Sequence, residues 1–358
     1  MKRRILVLLF ALLTTQLGSL VNPAYACGCG AMIPPGYSRI GVEQETSVVR
    51  WDGRTEQIVM RFTVRGDAQQ AAWIMPVPGR ATVELADGAM FGELTWLTRP
   101  ERRTRHHFWP REKDWPFSSG SRDMAGAPAP GAARSVDVVG REQLGDFDVA
   151  RLTATDPDAL RNWLEDNGFK LPDGLAAELK PYVDQKWEYV AVRLAPRQQG
   201  KTLQGHLDPL RIRFDSDRLV YPMRLSRLAK SPQSLSLYVL ADHRMEPDSP
   251  IGGAAPKVTF AGTITPKDSL AGLTGGEPAF LTAIEQEFPE PGRINGDHVL
   301  SADASDTPYR RAVYRDELLT VAGGIPVWIL TVAGAAAAAV AALLLGRRLR
   351  SRRRSSAA

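Results

Sequence analysis

The chain has 358 residues, of which 44% are hydrophobic, with a formal net charge of +5 and a pI near 9.3. Its basic residues are unevenly distributed, because three lie within residues 2–4 and six within residues 347–358. The residues between these ends carry 36 basic and 40 acidic side chains, so this part is mildly acidic. The basic pI therefore reflects the two ends, and the composition argues against a nucleic-acid-binding protein.

The N-terminus has the three zones of a secretory signal peptide. Basic residues 2–4 precede an unbroken apolar run of nine residues, 5–13, and Ala24-Tyr25-Ala26 supplies small residues at the positions that flank a cleavage site. The apolar run is too short to span a bilayer. We therefore predict a signal peptide over residues 1–26, with the mature chain beginning at or near Cys27.

The C-terminus carries a second apolar segment of different length. Residues 325–346 include no charged side chain and would form a helix about 33 Å long, enough to cross the hydrocarbon core. The six arginines and no acids in residues 347–358 favour a cytoplasmic position for this end. The sequence thus predicts one transmembrane helix at 325–346, with the N-terminus outside, a cytoplasmic Arg-rich tail, and a localisation in the cell membrane.

Between these ends, residues 27–300 predict an extracytoplasmic α+β domain that is rich in antiparallel β-sheet and has a few short helices. The clearest element is a hairpin around the turn Asp52-Gly53. In its second strand Ile58, Met60, Phe62 and Val64 alternate with mostly polar residues, which predicts a sheet with one solvated face.

Further elements follow in chain order. A strand at AAWIMPV contains Pro76, which predicts an edge position or the end of that strand. Residues 98–145 are basic, aromatic and then Gly/Ala/Pro-rich, and predict a long flexible loop that could separate the domain into two halves. Patterning then predicts the following elements: a helix before Pro100, a strand at 149–153, helices after Pro157 and at 173–186, strands at KWEYVAVRL, LRIRF, LVYPMRL, SLSLYVLADHR and KVTFAGTI, a short helix in EPAFLTAIEQEF, and a polar stalk at 301–324.

The order of several short motifs resembles one bacterial family. These motifs are CGCG directly after the signal, WDGRTEQIVMRF, AAWIMPVP, FDVARLTATDPDALRNWLEDNGF, WEYVAVRL, LDPLRIRFDSDRLVYPMRLS and LYVLADHR. Together they resemble the uncharacterised bacterial family known as domain of unknown function 2330, over most of residues 27–265. The resemblance implies a secreted or membrane-anchored protein, and it implies no activity, cofactor or partner.

Both cysteines of the chain, Cys27 and Cys29, lie at the expected new N-terminus, which we expect to be exposed outside the cell. Four interpretations stay open. A local disulfide between them would be strained, and an intermolecular disulfide is the second alternative. Two thiolates, with the α-amine of Cys27, would also suit a soft metal ion, the only cofactor that the sequence suggests. Lipid modification of Cys27 is the fourth.

The basic aromatic part of the predicted loop is a candidate partner-binding segment. It contains His106, His107, Trp109 and Trp115. Adjacent histidines in an extended chain point to opposite sides and chelate one ion poorly. A solvated loop, aromatic side chains folded back onto the sheet, and contact with a partner, a glycan or the membrane surface are the alternatives.

No sequence motif indicates a catalytic site. Asp215 and Asp217 form one of three close carboxylate pairs, and turn chemistry explains them better than a glycosidase site does. The sequence favours a non-enzymatic binding or structural module of the bacterial envelope. Its expected partners are the lipid bilayer, through residues 325–346, and an envelope protein or polymer. The alternatives are a thiol-redox or metal-handling protein that uses Cys27 and Cys29, and a hydrolase whose site is assembled from dispersed residues.

Overall fold

The structure is a computed structural model that describes residues 29–114, 143–144, 147–152, 157–171, 174–196 and 200–355. These residues form two compact units. The large unit comprises the described residues of 29–99 and 143–311, and the small unit comprises residues 100–114 and 312–355.

The described part of the chain contains nineteen strands and five α-helices. The strands are β1 (Ala31–Ile33), β2 (Ile40–Trp51), β3 (Thr55–Gly66), β4 (Ala71–Val77), β5 (Thr82–Leu85), β6 (Glu101–His107), β7 (Gln143–Leu144), β8 (Phe147–Leu152), β9 (Glu188–Leu194), β10 (Gly205–His206), β11 (Leu210–Asp215), β12 (Leu219–Tyr221), β13 (Gln233–Ala241), β14 (Met245–Pro247), β15 (Lys257–Ile264), β16 (Ala279–Phe288), β17 (His298–Ala302), β18 (Tyr309–Arg310) and β19 (Ala312–Leu318). The α-helices are α1 (Ala89–Leu97), α2 (Pro157–Asp166), α3 (Leu175–Asp184), α4 (Asp268–Thr274) and α5 (Val327–Ser355). Short 3-10 helices occur at Glu112–Asp114, Arg224–Leu228 and Pro291–Arg293.

The strands of the large unit form three sheets. A five-stranded sheet has the order β1-β4-β9-β8-β7, and a larger sheet has the order β18-β15-β16-β13-β2-β3-β11-β5, with β10 added beside β3. A small third sheet has the order β12-β17-β14. Among the described strands of this unit only β2 and β13 pair in parallel, so the α+β, mainly antiparallel class predicted from sequence is confirmed.

The large unit is layered. Its main core lies between the two larger sheets, where Trp73 of β4 meets Phe62 of β3 edge-to-face with ring centroids 5.5 Å apart. Helices α2 and α3 cover the other face of the five-stranded sheet, and Leu160 and Leu164 lie fully buried there as the helical pattern predicts. Helices α1 and α4 cover the outer face of the larger sheet.

The hairpin β2–β3 forms as predicted, and its turn is closed by Asp52, whose side chain accepts the N–H groups of Arg54 and Thr55. The prediction of a solvated face is wrong for this part of the sheet. Val59, on the face opposite Ile58, is buried beneath α1 and α4. The two helices contribute apolar side chains from residues distant in sequence, so the strand pattern alone does not reveal this cover.

Strand β4 is internal, between β1 and β9, and still contains a proline. Strand β1 pairs only with Ala72–Ile74, so Pro76 lies beyond the end of β1, where β4 has a neighbour on one side only. A proline is tolerated there because its missing N–H would face no partner strand.

Three sequence predictions are wrong in this structure. The predicted helix at 277–288 is strand β16, which lies between β13 and β15. The predicted loop at 98–145 contains strand β6 at residues 101–107, and residues 115–142 lie outside the described residues. The predicted polar stalk at 301–324 contains β18 and β19. In each case pairing with a strand distant in the chain overrides the local residue preference.

The small unit consists of the two-stranded parallel sheet β6–β19, the 3-10 turn at Glu112–Asp114 and α5. Within α5, the 22 residues Val327–Arg348 are long and apolar enough to cross a membrane and are unburied in the structure. This helix starts two residues later than the predicted transmembrane segment.

Candidate functional site

The N-terminal segment around Cys29 lies inside the large unit. Strand β1 pairs antiparallel with β4, with Ala31 opposite Ile74, and its residues are buried. Cys29 immediately precedes this strand and has no exposed surface. The expectation of an exposed Cys-Gly-Cys segment is therefore wrong for Cys29, because β1 draws it into the core. Cys27 lies outside the described residues.

Cys29 belongs to a buried polar group that we call the Glu45 cluster, which consists of Cys29, Glu45, Ser47 and Tyr221. The Cys29 N–H donates to Oε2 of Glu45 at 2.8 Å, and the Tyr221 hydroxyl hydrogen-bonds to Oε1 of the same carboxyl group. The hydroxyl oxygens of Ser47 and Tyr221 lie 2.6 Å apart. Each of these side chains is at most 3% exposed, so the cluster joins β1, β2 and β12 without contact with solvent.

Glu45 is electrostatically unusual because no Lys or Arg among the described residues forms an ion pair with it. Burial raises the pKa of its carboxyl group to about 7, and the hydrogen bonds from Tyr221, the Cys29 N–H and Ser47 act in the opposite direction. The carboxyl group is therefore mostly neutral in the fold at pH values below about 7. A neutral carboxylic acid can donate its proton to Tyr221, whose hydroxyl can then donate to Ser47.

The Cys29 thiol is neutral as well. Burial and the nearby Glu45 raise its pKa well above the usual range, and the Tyr221 hydroxyl offsets part of this effect. The thiolate is the form that attacks electrophiles and ligates metals, so a buried neutral thiol suits neither role. No group of three His, Cys, Asp or Glu side chains that could hold a metal ion occurs among the described residues. The state of Cys27, and any disulfide, lipid or metal on it, stays a prediction.

A second buried carboxyl group lies beside the Glu45 cluster. Glu56 of β3 accepts the N–H of Val220 with Oε2 at 3.1 Å, while its Oε1 has no hydrogen-bond partner. Burial raises the pKa of Glu56 well above its usual range. Because Val220 and Tyr221 are neighbours in β12, the two carboxyl groups hold the same short strand from adjacent positions.

A third carboxyl group fixes the chain that follows β12. One oxygen of Asp297 accepts hydrogen bonds from the Tyr182 hydroxyl at 2.6 Å and from the N–H groups of Met223 and Arg224 at 2.8 and 2.9 Å. Together with Glu45 and Glu56, it makes β12 the point at which the three sheets and helix α3 are tied together. These hydrogen bonds fix the packing of the fold around β12, and they do not line an open cleft.

The residues of the predicted partner-binding loop lie in the small unit. His106 is exposed on β6, whereas the Nδ1 atom of His107 lies 2.9 Å from the carbonyl oxygen of Trp109 and its Nε2 atom 3.4 Å from Asp114. Successive strand residues place the two histidines on opposite faces. Trp109 is 63% exposed, and Trp115 lies outside the described residues.

Asp215 is the last residue of β11 and Asp217 lies in the turn that follows, and both line a cleft of about 510 Å³ together with Trp187 and Arg218. Both aspartates are exposed, and Asp215 accepts a hydrogen bond from the Thr55 hydroxyl at 3.2 Å. They are two residues apart on one continuous segment and do not face each other across the cleft from distant elements.

A family model described as "Uncharacterized protein conserved in bacteria (DUF2330)" matches residues 23–301. The chain belongs to the DUF2330 family. The matched region contains the whole Glu45 cluster, Glu56, Asp297 and strand β6, and it ends before β19 and α5. The DUF2330 match therefore covers most of the large unit and leaves the candidate membrane helix outside it.

No curated protein matches this DUF2330 chain. Among solved structures, a crystal structure of baculovirus P35 shares 11% sequence identity, and the alignment covers 75% of this chain and 95% of that chain with a TM-score of 0.33. A similarity at this level supports no conclusion about fold or function.

The burial of Cys29 gives a direct prediction about its reactivity. In a Cys27→Ser variant, which leaves Cys29 as the only thiol, we expect alkylation by a maleimide to be about a thousandfold slower in the folded protein than in denaturant. Exposure of the thiol requires an opening that costs about 4 kcal/mol or more. Mass spectrometry of timed samples measures the modified fraction, and the denatured sample is the control. Equal rates in the two samples would contradict the buried position.

Proposed function

We propose that this protein is a single-pass membrane protein whose DUF2330 domain lies outside the cytoplasm and acts as a non-enzymatic binding or structural module of the bacterial envelope. The observation that carries the proposal is α5, whose uncharged first turns lead directly into a tail with six arginines. Positively charged residues next to a membrane helix are retained on the cytoplasmic side. The signal-peptide pattern of residues 1–26 supports the same orientation.

The non-enzymatic part of the proposal is supported by where the perturbed carboxyl groups lie. Glu45 and Glu56 have raised pKa values, which in enzymes often indicates an active site, yet both side chains are buried against backbone N–H groups and neutral hydroxyls. Such groups cannot reach a substrate unless the fold opens. In this proposal, Glu45 and Glu56 fix the positions of β1 and β12 in the fold.

The burial of Cys29 bears on the thiol-redox and metal alternatives. A dithiol mechanism needs both thiols within reach of the partner or the metal ion. With Cys29 enclosed in the Glu45 cluster, these alternatives depend on Cys27 alone, and the proposal assigns the Cys-Gly-Cys segment a structural role.

The topology can be tested by adding one cysteine at a time to a Cys27→Ser background, in which the remaining thiol, Cys29, is buried. Ala304→Cys places a thiol on an exposed residue of the large unit, and Ala357→Cys places one in the Arg-rich tail. We expect a membrane-impermeant maleimide to label Ala304→Cys in intact cells, and to label Ala357→Cys only after the cells are lysed. The parent Cys27→Ser protein is the control for background labelling. Labelling of the tail in intact cells would contradict the orientation, and recovery of the chain in the soluble fraction would contradict anchoring.

The module role is tested with purified full-length protein. Co-sedimentation with isolated cell-wall polymer, or with envelope proteins identified by cross-linking in intact cells, would support a binding module. Turnover of a cell-wall substrate that persists in the Cys27→Ser variant would overturn the non-enzymatic assignment in favour of a hydrolase. Turnover of a thiol substrate that is lost in this variant would overturn it in favour of the thiol-redox alternative.

A further inference from the structure

Two consecutive hydrogen bonds tie the small unit's sheet to the first residue of α5. The N–H of Leu319 donates to the carbonyl oxygen of His107 at 2.9 Å, and the N–H of Val327 donates to the carbonyl oxygen of Leu319 at 2.9 Å. The intervening loop is closed by the N–H of Val321, which donates to the carbonyl oxygen of Ile325 at 3.0 Å. Since hydrogen-bonded backbones lie about 5 Å apart, the end of β6 is held about 10 Å from the start of the helix.

Large apolar side chains are exposed around this point. Trp109 follows β6 by two residues and is 63% exposed, while Val321 and Ile325 in the loop before α5 are 40% and 46% exposed. We call these three residues the apolar foot. The foot belongs to no buried core cluster among the described residues. Exposed apolar groups concentrated at one point indicate a surface that is covered in the working protein.

The sheet next to the foot is basic along one strand. Strand β6 carries Arg102, Arg103 and Arg105 against one acid, Glu101, and all four are exposed. Arg103 forms an ion pair with Glu101 at 2.8 Å, and Arg105 forms one with Asp316 of β19 at 3.4 Å. Its partner β19 offers an exposed Tyr314, and the Arg105 guanidinium lies over this ring at 4.6 Å from the centroid. A two-stranded sheet that is exposed on both faces has only marginal stability by itself, so contact with another surface would stabilise it.

We infer that the apolar foot lies in the headgroup layer of the bilayer that α5 crosses, on its outer face. The inference rests on the proposed membrane anchoring. A foot held about 10 Å from the first turn of a membrane-spanning helix must be near the membrane surface, so the bilayer is the surface that covers it. Tryptophan is a residue that membrane proteins place at this interface.

The experiment uses the full-length chain in vesicles of phosphatidylcholine and phosphatidylglycerol, with bromine atoms on the upper acyl chains of part of the lipid. Bromine quenches only tryptophans near the interface. The chain has eight tryptophans, among which Trp328 lies in the first turn of α5. We expect Trp109→Phe to lower the quenched share of the emission by about a third to a half, because it removes one of the few interfacial rings.

Trp96→Phe is the matched control, because Trp96 is 61% exposed but lies on α1 of the large unit. We expect this variant to keep or slightly raise the quenched share. Equal quenching in the Trp109→Phe variant and the wild type would overturn the inference. This result is also the one expected if a second copy of the chain, and not the bilayer, covers the foot. Flotation of each sample with its vesicles is measured separately. A chain that fails to float overturns the anchoring proposal and the inference together, whereas a floating chain without the Trp109 effect overturns the inference alone.

Discussion

Replacing Gly30 by alanine is expected to displace strand β1 and to lower the free energy of unfolding by about 3 kcal/mol or more. Gly30 has φ of +141°, a backbone conformation that residues with a side chain rarely adopt. A Cβ atom there would lie 2.3 Å from the carbonyl oxygen of Ile74 and 2.8 Å from Nε1 of Trp73. Both belong to β4 in the centre of the core, so neither can move aside at low cost.

The measurement is denaturant unfolding of the purified full-length chain, with Gly36→Ala as the matched control. Gly36 also has a positive φ, +57°, but a Cβ atom there would meet no atom within 4 Å. We expect the control to cost about 1 kcal/mol, which is the conformational penalty without the steric clash. If Gly30→Ala retains a folded large unit with β1 displaced, Cys29 becomes reactive toward maleimide. Equal losses in both variants, with Cys29 still protected, would contradict the close fit of Gly30 against β4.

The sequence predicts those elements of the fold whose signals are local. The β2–β3 hairpin has a turn at Asp52-Gly53 and strands of alternating character, and α2 begins at Pro157 with its apolar residues at helical spacing. Strand β16 could not be predicted in this way, because Ala279, Leu281 and Glu285 favour helix formation locally. Its strand conformation comes from pairing with β13 and β15 on its two sides.

The burial of the two carboxyl groups, Glu45 and Glu56, could be partly predicted from the sequence. Glu56 stands in phase with Ile58, Met60 and Phe62, so the alternation of β3 already places it on the core face. Glu45 is opposite Phe62 in the hairpin and shares that face. An acidic residue at such a position indicates a buried polar contact, whereas the apolar members of the pattern predict only the buried face.

The partners of these carboxyl groups could not be predicted. Tyr221 lies 176 residues after Glu45, and Cys29 reaches Glu45 only because β1 pairs with β4. Strand β12 begins the strand predicted at LVYPMRL, but nothing in that pattern shows that Tyr221 and the Val220 N–H contact Glu45 and Glu56. Burial of Cys29 is therefore a consequence of the pairing of β1 with β4. Its place in the sequence, next to the expected cleavage site, predicts an exposed end because that pairing has no local signal.

The contribution of Glu45 to stability is expected to fall as the pH rises from about 4.5 to about 7. Glu56 acts in the same direction, whereas His298, whose pKa burial lowers to about 4, acts in the opposite direction, so the Glu45 contribution is measured by comparison with a Glu45 variant. The pKa of Glu45 is 4.5 in the unfolded reference and about 7 in the fold, so in this window the folded chain binds a proton that the unfolded chain has lost. The contribution of Glu45 is fully present below pH 4.5, decreases as the pH approaches 7, and is lost above it. A shift of this size corresponds to about 3 kcal/mol.

Glu45→Gln is expected to remove the part of the pH dependence that comes from Glu45. The carbonyl oxygen of the new amide can accept the Cys29 N–H, and its NH₂ group can donate to Tyr221, as the neutral carboxylic acid does. The variant should therefore resemble the wild type near pH 4.5 and exceed its stability above pH 7. Denaturant unfolding at several pH values between 4 and 8 gives the comparison.

Glu43→Gln is the matched control on the same strand, because Glu43 is exposed and its carboxylate forms an ion pair with Arg65 at 2.9 Å. This variant should keep the wild-type slope. Burial raises the pKa of Glu56 in the same direction, so the Glu56 contribution to the slope should remain in Glu45→Gln and be removed in the double variant with Glu56→Gln. A Glu45→Gln profile with the full wild-type slope would show that the Glu45 carboxyl group is ionised in the fold. That outcome would require a positive charge or water at the Glu45 cluster, because a buried carboxylate held only by a backbone N–H and hydroxyl groups lacks compensation for its lost hydration.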